Sequence, residues 1–193
     1  MKRSSKNKVI SIGIDVGTIN GAISIVDEDL NVLLLSKIPT YQTLVKSKRN
    51  KSKLNKETMK FEKDYRKRNW TDFKKLGEML KPFIGQKIVY TIEKVASRPG
   101  EGETASFLNG NSLGIFEGLY SLINPVAFYE PTPPVWKKEM GVTSDKSTSI
   151  SLSEDIFQIK LRDFLRTGKV DDIAEALLLS FYGLRKYKEN EGN

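Results

Sequence analysis

The sequence predicts an α/β domain: a five-stranded mixed sheet, its first three strands antiparallel, flanked by helices. Three observations carry this. Three β-branched runs, "KVISIGID", "GAISIVDE" and "NVLLLSKIP", follow one another before residue 40. Helical and strand patterns alternate after residue 70, and the chain closes on a long apolar-periodic stretch, "DDIAEALLLSFYGLRKY".

Taken in order, "DEDLN" between the second and third runs consists of residues that suit a hairpin turn. "TDFKKLGEMLKPFIG" places Phe73, Leu76, Leu80 and Phe83 at helical spacing, with Thr71 as N-cap and Gly85 as the stop. "KIVYTIE" is a fourth strand ending in an acid, Glu93, and the glycine-rich loop "SRPGEGE" leads into a helix, "TASFLNGNSLGIFEGLYSLI". "PVAFYEP" is a fifth strand, Ser147 to Phe157 a helix, and the segment from Asp171 the last helix. This order is the one expected of a ribonuclease H-like α/β domain.

With 193 residues, 38% of them hydrophobic, the chain suits one domain over 1–193 and is too short for two large lobes. It has no cysteine and no histidine, which excludes disulfides, thiolate zinc sites and a histidine base. Any metal must be held by oxygen. The start, "MKRSSKNKVISIGID", has the charge of an export signal, but its apolar stretch meets Asp15 too early, and no run reaches the length of a membrane helix. The expectation is a protein inside the cell, cytoplasmic, organellar or made by a phage or virus, and not secreted.

The net charge of +8 is concentrated. Between Tyr41 and Trp70 stand Lys46, Lys48, Arg49, Lys51 and seven further basic residues against Glu57, Glu62 and Asp64, a surplus equal to that of the whole chain. This basic insertion, about 41–70, reads either as a solvated loop or as a phosphate-contacting arm helped by Tyr41, Tyr65 and Trp70. A patch so dense suits a polyanion, nucleic acid above all.

The acids are informative by position. Functional groups of open α/β sheets gather at the carboxyl ends of strands, where Asp15 and Glu93 fall. Asp172 and Glu175, three apart, share one face of the last helix, with Asp171 beside them. Each has an innocent use: Asp15 could cap the "VGT" turn, Glu93 could pair with Lys94, Asp171 and Asp172 could complement the helix dipole, and Glu175 could be an exposed helix acid. Together, in a chain without histidine, they form the pattern of a hard-metal site for Mg²⁺ or Mn²⁺. Carboxylates brought this close must take up protons or bind cations.

The segments "GIDVGTINGAIS", "TIEKV", "GNSLGIFEG", "PPVWKKEMG", "DKSTSISLSEDIF" and "DDIAEALLLSFYG" resemble, in order and approximate spacing, the motifs of RuvC-type Holliday junction resolvases, especially the phage and virus branch. The resemblance covers the chain apart from residues 38–70. It implies a ribonuclease H-like fold, a homodimer, four-way DNA junctions as substrate, and two Mg²⁺ ions per active site held by Asp15, Glu93, Asp172 and Glu175. The form acid, two residues, acid, alanine assigns the final pair to Asp172 and Glu175 rather than Asp171. Lys146, and also Lys137 or Lys138, match the basic residues that the family places near the scissile phosphate. Phe107 is a candidate aromatic for the junction centre, and Lys46, Lys48, Arg49 and Lys51 are candidate DNA contacts. The helix "NSLGIFEGLYSLI", with Phe116 and Leu119, is a dimer surface or else packs on its own sheet. Val16 stands where the family often has proline, and Glu175 where many members have aspartate, which lengthens one ligand arm.

Two other readings use the same residues. "IGIDVGT" also resembles the first phosphate motif of sugar kinases and actin-like ATPases, but the chain is short for two lobes and has no second "D-x-G-T" loop. A non-catalytic nucleic-acid-binding module would leave the acids structural.

Overall fold

The computed structural model describes residues 8–17, 21–46, 53–54, 61–62, 65–94, 100, 102–166 and 168–192. Its strands are β1 (Val9–Asp15), β2 (Ala22–Asp27), β3 (Val32–Lys37), β4 (Thr40–Lys46), β5 (Lys53–Leu54), β6 (Phe61–Glu62), β7 (Tyr65–Thr71), β8 (Lys87–Ile92) and β9 (Ala127–Tyr129). Its helices are α1 (Phe73–Leu80), α2 (Glu103–Ile123), α3 (Pro133–Met140), α4 (Lys146–Phe157), α5 (Leu161–Phe164) and α6 (Asp171–Glu191).

Five strands form the main sheet in the order β3-β2-β1-β8-β9. The β1–β2 and β2–β3 pairs are antiparallel, and the β1–β8 and β8–β9 pairs are parallel. The antiparallel start follows from a short turn. The Asp27 carboxylate accepts from the backbone N–H of Asp29 at 3.0 Å and of Asn31 at 2.9 Å, closing the loop between β2 and β3.

Side chains of β1 alternate between two different environments. Ile10, Ile12 and Ile14 join Ile23, Ile25, Ile88, Tyr90 and Ile92 in a core covered by Leu76 and Leu80 of α1 and by Phe116 and Ile123 of α2. Fully burying each aliphatic side chain contributes about 1.5–3 kcal/mol. Tyr90, buried in this layer, donates its hydroxyl to the Phe116 carbonyl at 2.8 Å and so anchors α2.

The opposite face is built for close approach. Ser11 and Ser24 donate to the carbonyls of Ser180 and Ala176, each at 2.7 Å. A Cβ on Gly13 would lie 2.3 Å from the Ala176 carbonyl oxygen. Small residues on β1 and β2 therefore let α6 lie almost on the sheet, and α3 and α4 pack outside it through Trp136, Phe157 and the α6 leucines.

Several expectations need correction. The N-cap of α1 is Asp72, which accepts from Lys75 N–H at 3.1 Å, because Thr71 is the last residue of β7 and pairs with Thr40. "PPVWKKEMG" is helix α3, opened by two prolines that fit its first turn and closed by Gly141 at φ +71°. Helix α4 begins at Lys146, one residue earlier than predicted, because Asp145 is its N-cap. The ends of the basic insertion are not a solvated loop: β4 and β7 pair along their whole length as an antiparallel ribbon. Their alternating Tyr41, Thr43 and Val45 carry strand preference that the lysine density masks. No helix among the described residues is long and apolar enough to cross a membrane.

Candidate active site

Asp15 ends β1, and Glu93 follows β8 immediately, its N–H donating to the Ile14 carbonyl at 3.0 Å. Since β1 and β8 run parallel, both acids emerge at the same end of the sheet. The cross-strand partners Asp15, Ala22 and Lys37 form one row, and residues in such a row point to the same face. Ala22 packs against α6 residues, so that face is the one under α6. The helix arrives with Asp171 and Asp172 in its first turn, where acids complement its dipole, and Glu175 one turn further.

The convergence is registered electrostatically at Asp15. Burial pushes its carboxyl well above the usual carboxylate range, and the charges of Glu93, Glu175 and Asp172 push it the same way against the pull of Lys137. Each of the other three acids has a donor. Trp136, fully buried on α3, donates its indole N–H to Glu93 Oε1 at 2.9 Å. Lys137 Nζ lies 2.9 Å from both Glu175 oxygens. Lys37 pairs with Asp172. In this arrangement no three acids among the described residues stand together as a ready metal cage.

The donor set nevertheless suits a hard cation. It consists of carboxylate oxygens alone, and carboxylates facing one another favour positive charge among them. The neighbouring lysines now supply part of it.

Lys146 pairs with Asp171, the acid left outside the predicted four. Burial disfavours charge on Asp171, but the hydrogen bond and charge of Lys146 outweigh this and hold the carboxyl below its usual range. The same hydrogen bond raises Lys146, with smaller contributions from Asp172 and Glu175. Lys137, Lys138 and Lys146 line one groove of about 570 Å³ together with Glu175 and Thr143. An anion lying in this groove would meet three ammonium groups beside the acids.

Other predicted residues lie elsewhere. Lys46 is exposed on β4, and Phe107 is 60% exposed near the start of α2, the helix in which the sequence places it. Lys48, Arg49 and Lys51, the Thr18–Asn20 part of the first motif and most of the "SRPGEGE" loop lie outside the described residues. Two residues at the site were not anticipated. A straight count of register from the "DEDLN" turn would miss Lys37, because a β-bulge between Ile25 and Val26 shifts the pairing by one residue and so sets Lys37, not Ser36, opposite Ala22. Trp136 offered a weaker signal, an indole directly before two lysines.

No protein-family model matches the chain, and no curated protein matches it by sequence. Among solved structures it is similar to Thermus thermophilus RuvC in complex with a Holliday junction substrate, at TM-score 0.55 and 11% identity over 95% of this chain and 96% of that one. A second Thermus thermophilus RuvC structure aligns at TM-score 0.51 and 11% identity with the same coverage. The fowlpox virus Holliday junction resolvase aligns at TM-score 0.40 and 18% identity over 94% of this chain and 99% of that one. The two RuvC comparisons extend over nearly the whole chain, and the fold is accordingly ribonuclease H-like, in the arrangement that RuvC has.

Proposed function

We propose that this chain is a metal-dependent, structure-selective endonuclease that resolves four-way DNA junctions by paired, symmetric phosphodiester cuts. The carrying observation is that parallel β1 and β8 and the first turns of α6 bring Asp15, Glu93, Asp172 and Glu175 to one end of the sheet, on a fold shared with RuvC. We take residues 1–193 as one nuclease domain with the basic insertion at 41–70, acting as a homodimer, since a two-fold pair duplicates the site for symmetric cuts.

Asp15, Glu93, Asp172 and Glu175 would hold two Mg²⁺ ions, or Mn²⁺. When bound, these supply activation of water and neutralisation of charge at the leaving 3′ oxygen. The chain's own groups do the rest. Trp136 holds the Glu93 carboxylate in orientation through its indole N–H. Lys137, now paired with Glu175, would be within reach of phosphate oxygens were that carboxylate held by cations. Lys138 and Lys146 border the same groove and offset charge developing on the phosphate.

The test is incubation of the protein with a labelled synthetic four-way junction and a matching linear duplex, in Mg²⁺ and in chelator. The expected result is paired nicks in the junction alone, with metal alone. Asp15→Asn should lower cutting by at least about 100-fold while junction binding is kept or tightened, because a negative charge facing phosphate is removed. Normal cutting by this variant would refute the site. Tight binding with no cleavage in either metal would favour the binding module instead.

A further inference from the structure

The positive charge of the chain is distributed in two distinct ways. Apart from exposed side chains such as Lys74, Lys81 and Lys138, the lysines and arginines described on the α/β body are mostly matched to acids: Lys8 with Asp29, Lys87 with Glu191, Lys94 with Glu130, Lys160 with Glu154, and Arg185 and Lys186 with Glu139. On the β4–β7 ribbon they are not. Lys46, Lys67 and Arg68 form no ion pair among the described residues.

The register divides the ribbon into two faces. Directly paired residues share a face, so Tyr41 with Trp70 and Thr43 with Arg68 lie on one side. That side is tied together by side-chain contacts, although Tyr41 at one end of it is 48% exposed. The Trp70 indole donates to Thr43 Oγ1 at 2.9 Å, and the Arg68 guanidinium lies 5.8 Å from the Trp70 ring centroid. The other side holds Gln42 with Asn69, Leu44 with Lys67, and Lys46 with Tyr65. It faces solvent, with Leu44 68% and Tyr65 54% exposed. Two ammonium groups without an ion pair among the described residues therefore flank two exposed apolar groups, next to a pair of amides.

We infer that this outer face of the ribbon lies in the major groove of a duplex arm of the DNA, Lys46 and Lys67 reaching the phosphates while Leu44, Tyr65, Gln42 and Asn69 face base edges. The inference rests on the proposed junction-cutting function and adds to it the element that grips the arm. The dimensions agree. Two strands about 4.8 Å apart form a ribbon narrow enough for a groove about 12 Å wide, which admits such ribbons in general. Thr71 at the base of this face is buried, so the free stretch is 42–46 opposite 65–69, and its five residues at about 3.4 Å each follow the groove for about half of a helical turn. The chemistry agrees as well, since amide side chains can pair with adenine edges and apolar groups with thymine methyls. The locked inner face keeps the ribbon stiff, so little order has to be created on binding.

The experiment uses the full chain in chelator, where DNA is not cut. Binding of a labelled four-way junction and of a linear duplex is measured across a salt series for the parent chain and for Lys46→Gln/Lys67→Gln. Methylation of guanine N7 in the junction arms by dimethyl sulfate is mapped in parallel. Both side chains are exposed, so the thermal midpoint of the variant should match the parent. The expected result is a log–log salt slope shallower by about 2 on both substrates, affinity about 10- to 30-fold weaker at 0.15 M salt, and loss of arm N7 protection. Gln42→Ala/Asn69→Ala should keep the slope and lose the protection. Unchanged slope and protection in a parent chain that binds and, with Mg²⁺, cuts junctions would overturn the ribbon assignment and leave the proposed function standing. A parent chain that neither binds nor cuts junctions would overturn both.

Discussion

Asp15 carries a stability cost that comes from the site itself. Burial first, and then three neighbouring carboxylates, hold its proton above the usual carboxylate range in the folded chain. Between the ordinary aspartate pKa, about 3.9, and that raised value, the folded state keeps a proton that the unfolded state has released. Stability therefore falls as pH rises through this window. Asn cannot ionise, so Asp15→Asn should show no stability advantage below about pH 4 and a growing one as pH rises to neutrality. In chelator the thermal midpoint should rise by roughly 2–4 °C for each kcal/mol recovered. Added Mg²⁺ should narrow the difference, since a ligand that binds only the folded parent stabilises it. Differential scanning calorimetry at several pH values reads both effects. Asp171 has the opposite sign: its lowered carboxyl contributes stability above the ordinary pKa that is lost on acidification. Lys37 bears on the same balance, because it gives Asp172 a positive partner without any metal. Lys37→Gln should tighten Mn²⁺ binding by about fivefold, close to 1 kcal/mol for a partly buried pair, as measured by calorimetric titration of the metal. Weaker binding would show that Lys37 organises the site rather than competing for it.

At the level of elements, α6 and the sheet form a joint with almost no slack. Gly183 meets β8 so closely that a Cβ there would lie 1.9 Å from Thr91 Oγ1 and 3.2 Å from Thr91 Cβ. Thr91 Oγ1 is itself buried without a hydrogen-bond partner. Gly183→Ala should cost about 2–4 kcal/mol by forcing helix and strand apart. Adding Thr91→Ala removes the colliding hydroxyl and should restore more than half of the loss, a coupling visible in urea midpoints of the double-mutant cycle. At Gly13 the collision is with helix backbone, and no side-chain change can relieve it. The joint also explains how the site is assembled. Because α6 is pinned along Ser11, Gly13 and Ser24, its first turn is carried to the strand end where Asp15 and Glu93 emerge.

For the whole molecule, paired cutting requires two copies of the site. Gly110, Gly114 and Gly118 recur every fourth residue along α2, and a Cβ at any of them would meet nothing within 4 Å. This strip is open in the single chain, with Leu122 71% exposed at the same end of the helix as Tyr120. Under the proposed homodimer it is the surface where two helices could approach closely. Gly114→Leu should then convert a dimer to a monomer in sedimentation equilibrium and turn paired cuts into single nicks, while the folded monomer keeps its thermal midpoint within a few degrees.

The sequence by itself determined the five strands of the main sheet, the antiparallel start and the acids at two strand ends, because these depend on short-range periodicity, turn chemistry and the position of a charge within an apolar run. It also showed where the surplus charge lies. It did not determine that β4 and β7 pair, since about twenty residues separate them in the chain and lysines obscure the alternation. Nor did it show that Lys37, Trp136 and Lys137 each serve a different carboxylate, because two elements far apart in the chain, β3 and α3, bring those donors to one strand end. Register across the sheet and the close seating of α6 decided those partners. They are long-range consequences of small residues whose importance appears only when a helix lies against them.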